Sequence, residues 1–176
     1  MNTTTLDEIL QKMEKIMKTI NLLCSYYYVG LVIGYVNKQE IIKWADSVIE
    51  RGDFPLELID VSLSGKKSIE DVASMLKKAC NEYVIVEPLY KLIGDIVLEY
   101  EEGQISDEHF FNYLRSLHVQ GNAFGIDEDL SHKLGRLDDA YYLATEGIYG
   151  FIEDVQREAL KDLKCYKEYI GYFDEV

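Results

Sequence analysis

Apolar residues return at steps of three and four along nearly the whole of this 176-residue chain. An α-helix turns once every 3.6 residues, so such steps gather side chains onto one face. Leu6, Ile9, Leu10, Met13, Ile16, Met17 and Ile20 give the first such stripe. A second helix is expected from about Leu22 to Gly34. Asn37 stands three residues before Glu40, the spacing at which a side chain caps a helix and the helix caps it back. The helix that follows carries Ile41, Ala45 and Val48 inward, with Ile42, Trp44 and Ile49 widening the stripe. Ser68 and Asp71 repeat the capping arrangement before Ile69, Val72, Leu76 and Ala79 or Cys80. Between them "PLELIDVSLSG" reads as a short helix, with Pro55 in its first turn and Gly65 closing it. Pro88 can open a further helix, and Ser106 can cap one with Phe110, Phe111, Leu114 and Leu117 facing inward.

The last third differs. Leu130, Leu134, Leu137, Tyr141, Ala144, Ile148, Phe151, Val155 and Ala159 keep their steps without a break in phase. No proline and no polar turn cluster interrupts them. Gly147 and Gly150 do, each at a cost of about 1 kcal/mol of helix propensity. The pattern predicts one long, kinked helix or two nearly collinear ones rather than a tight hairpin. Only "YVIVEP", Tyr83 to Pro88, has the look of a strand, and it has nothing evident to pair with. The expected fold is therefore all-α: a single domain over residues 1–176, a bundle of about seven to eight helices. A shift of 69 positions lays Gly34, Asn37, Ile41, Trp44 and Val48 on Gly103, Ser106, Phe110, Tyr113 and Leu117. Segments 34–48 and 103–117 thus share a grammar of helix end, cap and amphipathic helix, a weak internal echo. On this reading Trp44 anchors the core or a groove at a helical corner.

Charge narrows the partners. The net charge is −14, and residues 89–176 carry −11 of it. Between Asp95 and Asp129 nine acids stand against one base, Arg115. Such a field repels nucleic acid and anionic membranes and attracts a basic protein. Fourteen tyrosines against six phenylalanines add residues suited to half-wet contacts. Cys24, Cys80 and Cys165 are odd in number and far apart, each within an apolar helical pattern, which predicts mostly buried, reduced thiols in a cytoplasmic protein. The N-terminus lacks a secretory layout, and Leu22 to Val36 is shorter than the ~20 residues of a membrane span, so a core helix is expected there.

Catalytic signatures are sparse. Glu128 and Asp129 precede His132 by four and three residues, a spacing that serves di-iron bundles only when a second such pair exists. There is no phosphate-binding loop and no nucleophile elbow. A magnesium-dependent helical hydrolase of the nucleotide pyrophosphohydrolase type would draw on Glu99, Glu102 and Asp138 or Asp139. That is the alternative to a non-enzymatic binding module; a structural subunit of a larger complex is another. No cofactor is implied by any motif.

The stretch "GYVNKQEIIKWADSVIERGDFPLELIDVSLSG", Gly34 to Gly65, resembles small, acidic, all-helical bacterial proteins, some of which are similar to immunity proteins against polymorphic toxins. The resemblance covers under a fifth of the chain and rests on a helical corner with Trp-Ala-Asp. It implies tight binding of a toxin domain, and it transfers no functional residue. The charge asymmetry leads independently to a basic partner. The expected contact residues are Glu99, Glu101, Glu102, Asp107, Glu108, Asp127, Glu128 and Asp129, with tyrosines as anchors.

Overall fold

A computed structural model describes residues 3–52, 54–80 and 86–173, with side chains from residue 6 onward. Every regular element in these residues is helical, as the periodicity predicts. The helices are α1 (Thr3–Ile33), α2 (Lys38–Arg51), α3 (Glu57–Ser62), α4 (Ile69–Ala79), α5 (Val86–Glu101), α6 (Asp107–Val119), α7 (Gly121–Phe124), α8 (Glu128–Thr145) and α9 (Ile152–Leu163). Short 3-10 turns follow α3 at Ser64–Lys66 and α9 at Lys164–Tyr169. Of the candidate strand, Tyr83 to Ile85 lie outside the described residues, and Val86 to Pro88 are helical.

The chain divides into two compact units, one of residues 1–88 with 173–176 and one of residues 89–172. In the first, α1 packs on α4, α4 on α3, and α3 on α2. Ile20, Cys24, Ile41, Ala45, Val61, Val72 and Leu76 form its core. The two expected N-terminal helices are one. Nothing between Leu6 and Ile33 breaks a helix, and a single stripe runs on from Ile20 through Cys24 to Leu31. Both capping boxes form: the Asn37 side chain accepts from the Glu40 N–H at 3.0 Å while Glu40 accepts from the Asn37 N–H at 2.9 Å, and Ser68 and Asp71 do the same. The Lys38 ammonium donates to the Gly65 and Lys67 carbonyls at 3.0 and 2.8 Å, tying the 3-10 turn to the start of α2. Cys24 and Cys80 are buried in this core, and burial pushes the Cys24 thiol up, the nearby Cys80 adding to it.

In the second unit α6 packs on α8 and α8 on α9. Phe110, Phe111, Leu114 and Leu117 face inward as expected, joined by Leu92, Ile96, Leu134 and Ala159. Gly94 is required where it stands: a Cβ there would collide with the Tyr166 carbonyl, so this glycine lets α5 and the last 3-10 turn approach closely. Cys165 is exposed, against the expectation of burial, because it sits in that turn rather than on an inward helical face.

The C-terminal stripe is not one line. α8 and α9 form a helical hairpin, with Arg136 of α8 paired to Glu158 and Asp162 of α9. Collinear helices would hold those residues roughly 33 Å apart at 1.5 Å per residue. Gly147, at φ 67°, ends α8, and the Ile148 N–H reaches back to the Leu143 carbonyl at 2.9 Å. Gly150, at φ 82°, makes a second left-handed step before α9 begins. Two backbone steps of that kind, open to glycine at little cost, turn the chain where the side-chain phase alone runs straight on.

Candidate functional site

The expected contact acids fall into two groups at the two ends of α5. Glu99, Glu101 and Glu102 close α5, and Asp107 and Glu108 open α6 across the corner at Gly103. Asp127, Glu128 and Asp129 begin α8, beside Tyr90 near the other end of α5, whose hydroxyl donates to Asp127 at 3.3 Å. Ten residues of helix, about 15 Å, separate Tyr90 from Tyr100. The single face read from the sequence is therefore two patches.

Several of these carboxylates are occupied by the fold. Asp127 caps α8, accepting from the Leu130 N–H at 2.9 Å. Asp129 pairs with Lys133 at 2.7 Å, and Glu101 pairs with Lys167. Asp107 accepts a 2.6 Å bond from the Tyr100 hydroxyl, and Tyr100 stacks on Phe110 with ring centroids 4.0 Å apart. Burial first, then that bond to Asp107, pushes the Tyr100 hydroxyl up. Burial followed by the charges of Asp107 and Glu108 does the same to Tyr141, which stacks on Phe111 at 3.9 Å. These tyrosines hold the unit together and are not loose anchors.

Large apolar side chains are exposed elsewhere in the unit. At the tip of the α8–α9 hairpin, Ile148, Tyr149 and Phe151 are 64%, 79% and 71% exposed, with Tyr142 exposed six residues earlier. A folded chain seldom leaves three large apolar side chains within four positions this open without a use for them. Glu146, Glu153 and Asp154 surround the tip in sequence and are also exposed. Tyr141, in the later half of α8, stacks on Phe111 in the second turn of α6, so the start of α6 lies beside the half of α8 that leads to the tip. Sequence reasoning set Ile148 and Phe151 in the core stripe. The available signal was the pair Gly147 and Gly150, three apart and flanking two large apolar residues.

The residues considered for metal chemistry do not converge. Among the described residues no group of three or more His, Cys, Asp and Glu side chains is placed to hold a metal ion, so Glu99, Glu102, Asp138 and Asp139 form no such set. Asp138 faces Arg115 at 3.8 Å. His109 bonds Ser106, the cap of its own helix, at 2.9 Å, and the His118 ring lies against Gly135. His132 is exposed, while its neighbour Asp129 is held by Lys133.

In the first unit, Trp44 packs against the core and stacks obliquely on Tyr27, with centroids 4.6 Å apart. It also lines a groove of about 470 Å³ together with Ile16, Ile20, Val48 and the exposed Lys12 and Arg51. Trp44 thus touches both the core and a groove, the two surroundings expected of it.

These features define a class: an all-α protein with an aromatic hairpin tip among acids and no assembled metal centre among the described residues. Compared with known proteins, the chain matches no family model, no curated protein and no solved structure.

Proposed function

We propose that this is a non-enzymatic binding module that captures a basic protein at one end of its second unit. Ile148, Tyr149 and Phe151 would be the apolar centre of the interface. Glu102, Glu108, Glu146 and Glu153 would form its charged rim, steering a cationic partner toward it. Interfaces concentrate their energy in a few aromatic anchors, while rim charges act mainly on the rate of encounter. The exposure of the hairpin tip carries this reading, and the charge of −11 on residues 89–176 selects the sign of the partner. A toxin domain of basic charge is the partner that the resemblance to immunity proteins implies. Of the expected contacts, Glu101, Asp107, Asp127 and Asp129 already have partners within the chain and are left out of the proposed rim.

The test is kinetic. A basic partner is recovered by affinity capture, purified, and its association measured across a salt series. The double variant Tyr149→Ser with Phe151→Ser should weaken binding tenfold or more through faster dissociation. Neutralising Glu102, Glu108, Glu146 and Glu153 to Gln should slow association about tenfold at low salt, and the loss should shrink as the Debye length falls to about 8 Å at 0.15 M. Both variants should keep the wild-type helical signal. Unchanged binding by both removes the tip and its rim as the docking face.

A further inference from the structure

We propose that the groove between α1 and α2 binds one molecule of an aliphatic carboxylate, its chain laid along the groove and its anionic head at Lys12 and Arg51. α1 and α2 follow one another in the chain but pack on different partners, α1 on α4 and α2 on α3. The Tyr27–Trp44 stack joins them near the corner. The gap beside it is walled by Ile16, Ile20 and Leu23 from α1 and by Trp44 and Val48 from α2, and has a volume of about 470 Å³. Thr19 and Ser47 line it too, but their hydroxyls donate to carbonyls of their own helices, Thr19 to Lys15 at 3.2 Å and Ser47 to Trp44 at 2.7 Å. The walls therefore offer an occupant mostly apolar surface.

Charge decides the head group. Lys12 and Arg51 are the last groove residues of their helices, counted away from the Tyr27–Trp44 stack. Both are exposed, neither enters an ion pair among the described residues, and no described residue lining the groove is acidic. In a chain of net charge −14, a groove whose only charged lining is cationic favours an anion against the field of the molecule as a whole. Size decides the rest. Eleven residues of α1, about 16 Å, separate Leu23 from Lys12, which is the reach of an extended acyl chain of medium length. The groove's volume lies within the range of small-molecule sites, about 300–1,000 Å³. A docked peptide helix, about 10–12 Å across, would occupy roughly 1,200 Å³ or more over the same length, so one slender chain fits the groove better. The apolar walls would supply the affinity, and the two cations would select carboxylate over other heads.

Trp44 lines the groove and is the chain's one tryptophan, so its emission reports on occupancy directly. Dodecanoate, added to the full chain below its micelle concentration, should shift that emission to the blue and saturate at one ligand per chain. Acetate, a head without a chain, should leave it unmoved. Dodecyltrimethylammonium, the same chain with a cationic head, should bind at least tenfold more weakly, although the net charge of the protein would attract it. Lys12→Gln with Arg51→Gln, both at exposed positions, should raise the dissociation constant for dodecanoate tenfold or more while the helical signal and melting temperature stay unchanged. No saturable response to dodecanoate overturns the proposal, as does equal binding of the cationic ligand or an unaffected double variant. A response to phosphatidylcholine–phosphatidylglycerol vesicles but not to dodecanoate overturns it in favour of a membrane surface. A change in Trp44 emission on removing Asp174 to Val176, with no response to dodecanoate, overturns it in favour of those residues of the chain itself.

Discussion

Gly34 and Gly103 end their helices in the same way. Each has positive φ, and the residue after each sends its N–H back to a carbonyl five residues earlier, at 2.8 Å in both. Each corner is followed by an N-cap, Asn37 or Ser106, and an amphipathic helix. Beyond that the two units part. In the first, α2 packs on the short α3, which packs on α4; in the second, α6 packs on the long α8, which folds back on α9. The likeness of segments 34–48 and 103–117 is a likeness of local grammar, which a few residues can specify. What is built on it depends on partners far along the chain.

The sharpest break of that comparison comes from the cores. Phe110 is fully buried, and Phe110→Ala should cost about 3–5 kcal/mol, read by urea denaturation followed by circular dichroism. Trp44, the one tryptophan, reports on the first unit alone. A shift of the Trp44 fluorescence transition equal to that of the helical signal would make the two units one cooperative block. An unmoved fluorescence transition would make them separate.

Trp44→Ala should cost less, about 2–3 kcal/mol, because the ring is only half-buried although it packs on Tyr27. The same denaturation experiment measures it. A loss below about 1 kcal/mol would mean that Trp44 lines its groove without anchoring the corner.

The smallest expected effect tests the likeness itself. Asn37→Ala and Ser106→Ala each remove a side chain that accepts from the third residue of its helix, and each should cost about 1 kcal/mol. Asn37 is part of a reciprocal box and Ser106 accepts without one, so Asn37→Ala should cost slightly more. The reverse order in melting curves would show that the Ser106 contact to His109 carries more of the second corner than its backbone bond does.

What could be read from the sequence follows the range of the interaction. The caps at Asn37, Ser68 and Ser106 were legible because each is settled within four residues. The inward faces of α2, α4 and α6 were legible because burial follows the helical period, although Ile69, expected on the inward face of α4, is exposed in its first turn. The α8–α9 hairpin was not, because Ile148 and Phe151 keep the phase of the stripe while the backbone at Gly147 turns away from it. The acids of the candidate site were visible as composition. Their separation into two patches, and the engagement of Asp107 by Tyr100, depend on where α5 and α6 lie in space. The open hairpin tip is likewise a property of tertiary structure, since an exposed and a buried phenylalanine read alike in a sequence.

The packing of α1 on α4 also has a consequence in time. During synthesis α1 leaves the ribosome well before α4, the helix that covers its later half. At roughly 5–20 residues per second that interval lasts on the order of seconds. Throughout it the apolar row from Leu6 to Leu31 lacks α4, and a nascent neighbour or a chaperone can meet the uncovered part first. In the second unit α8 and α9 are consecutive and can close as soon as both have emerged, while α5 waits for Tyr166 and Lys167 near the end of the chain.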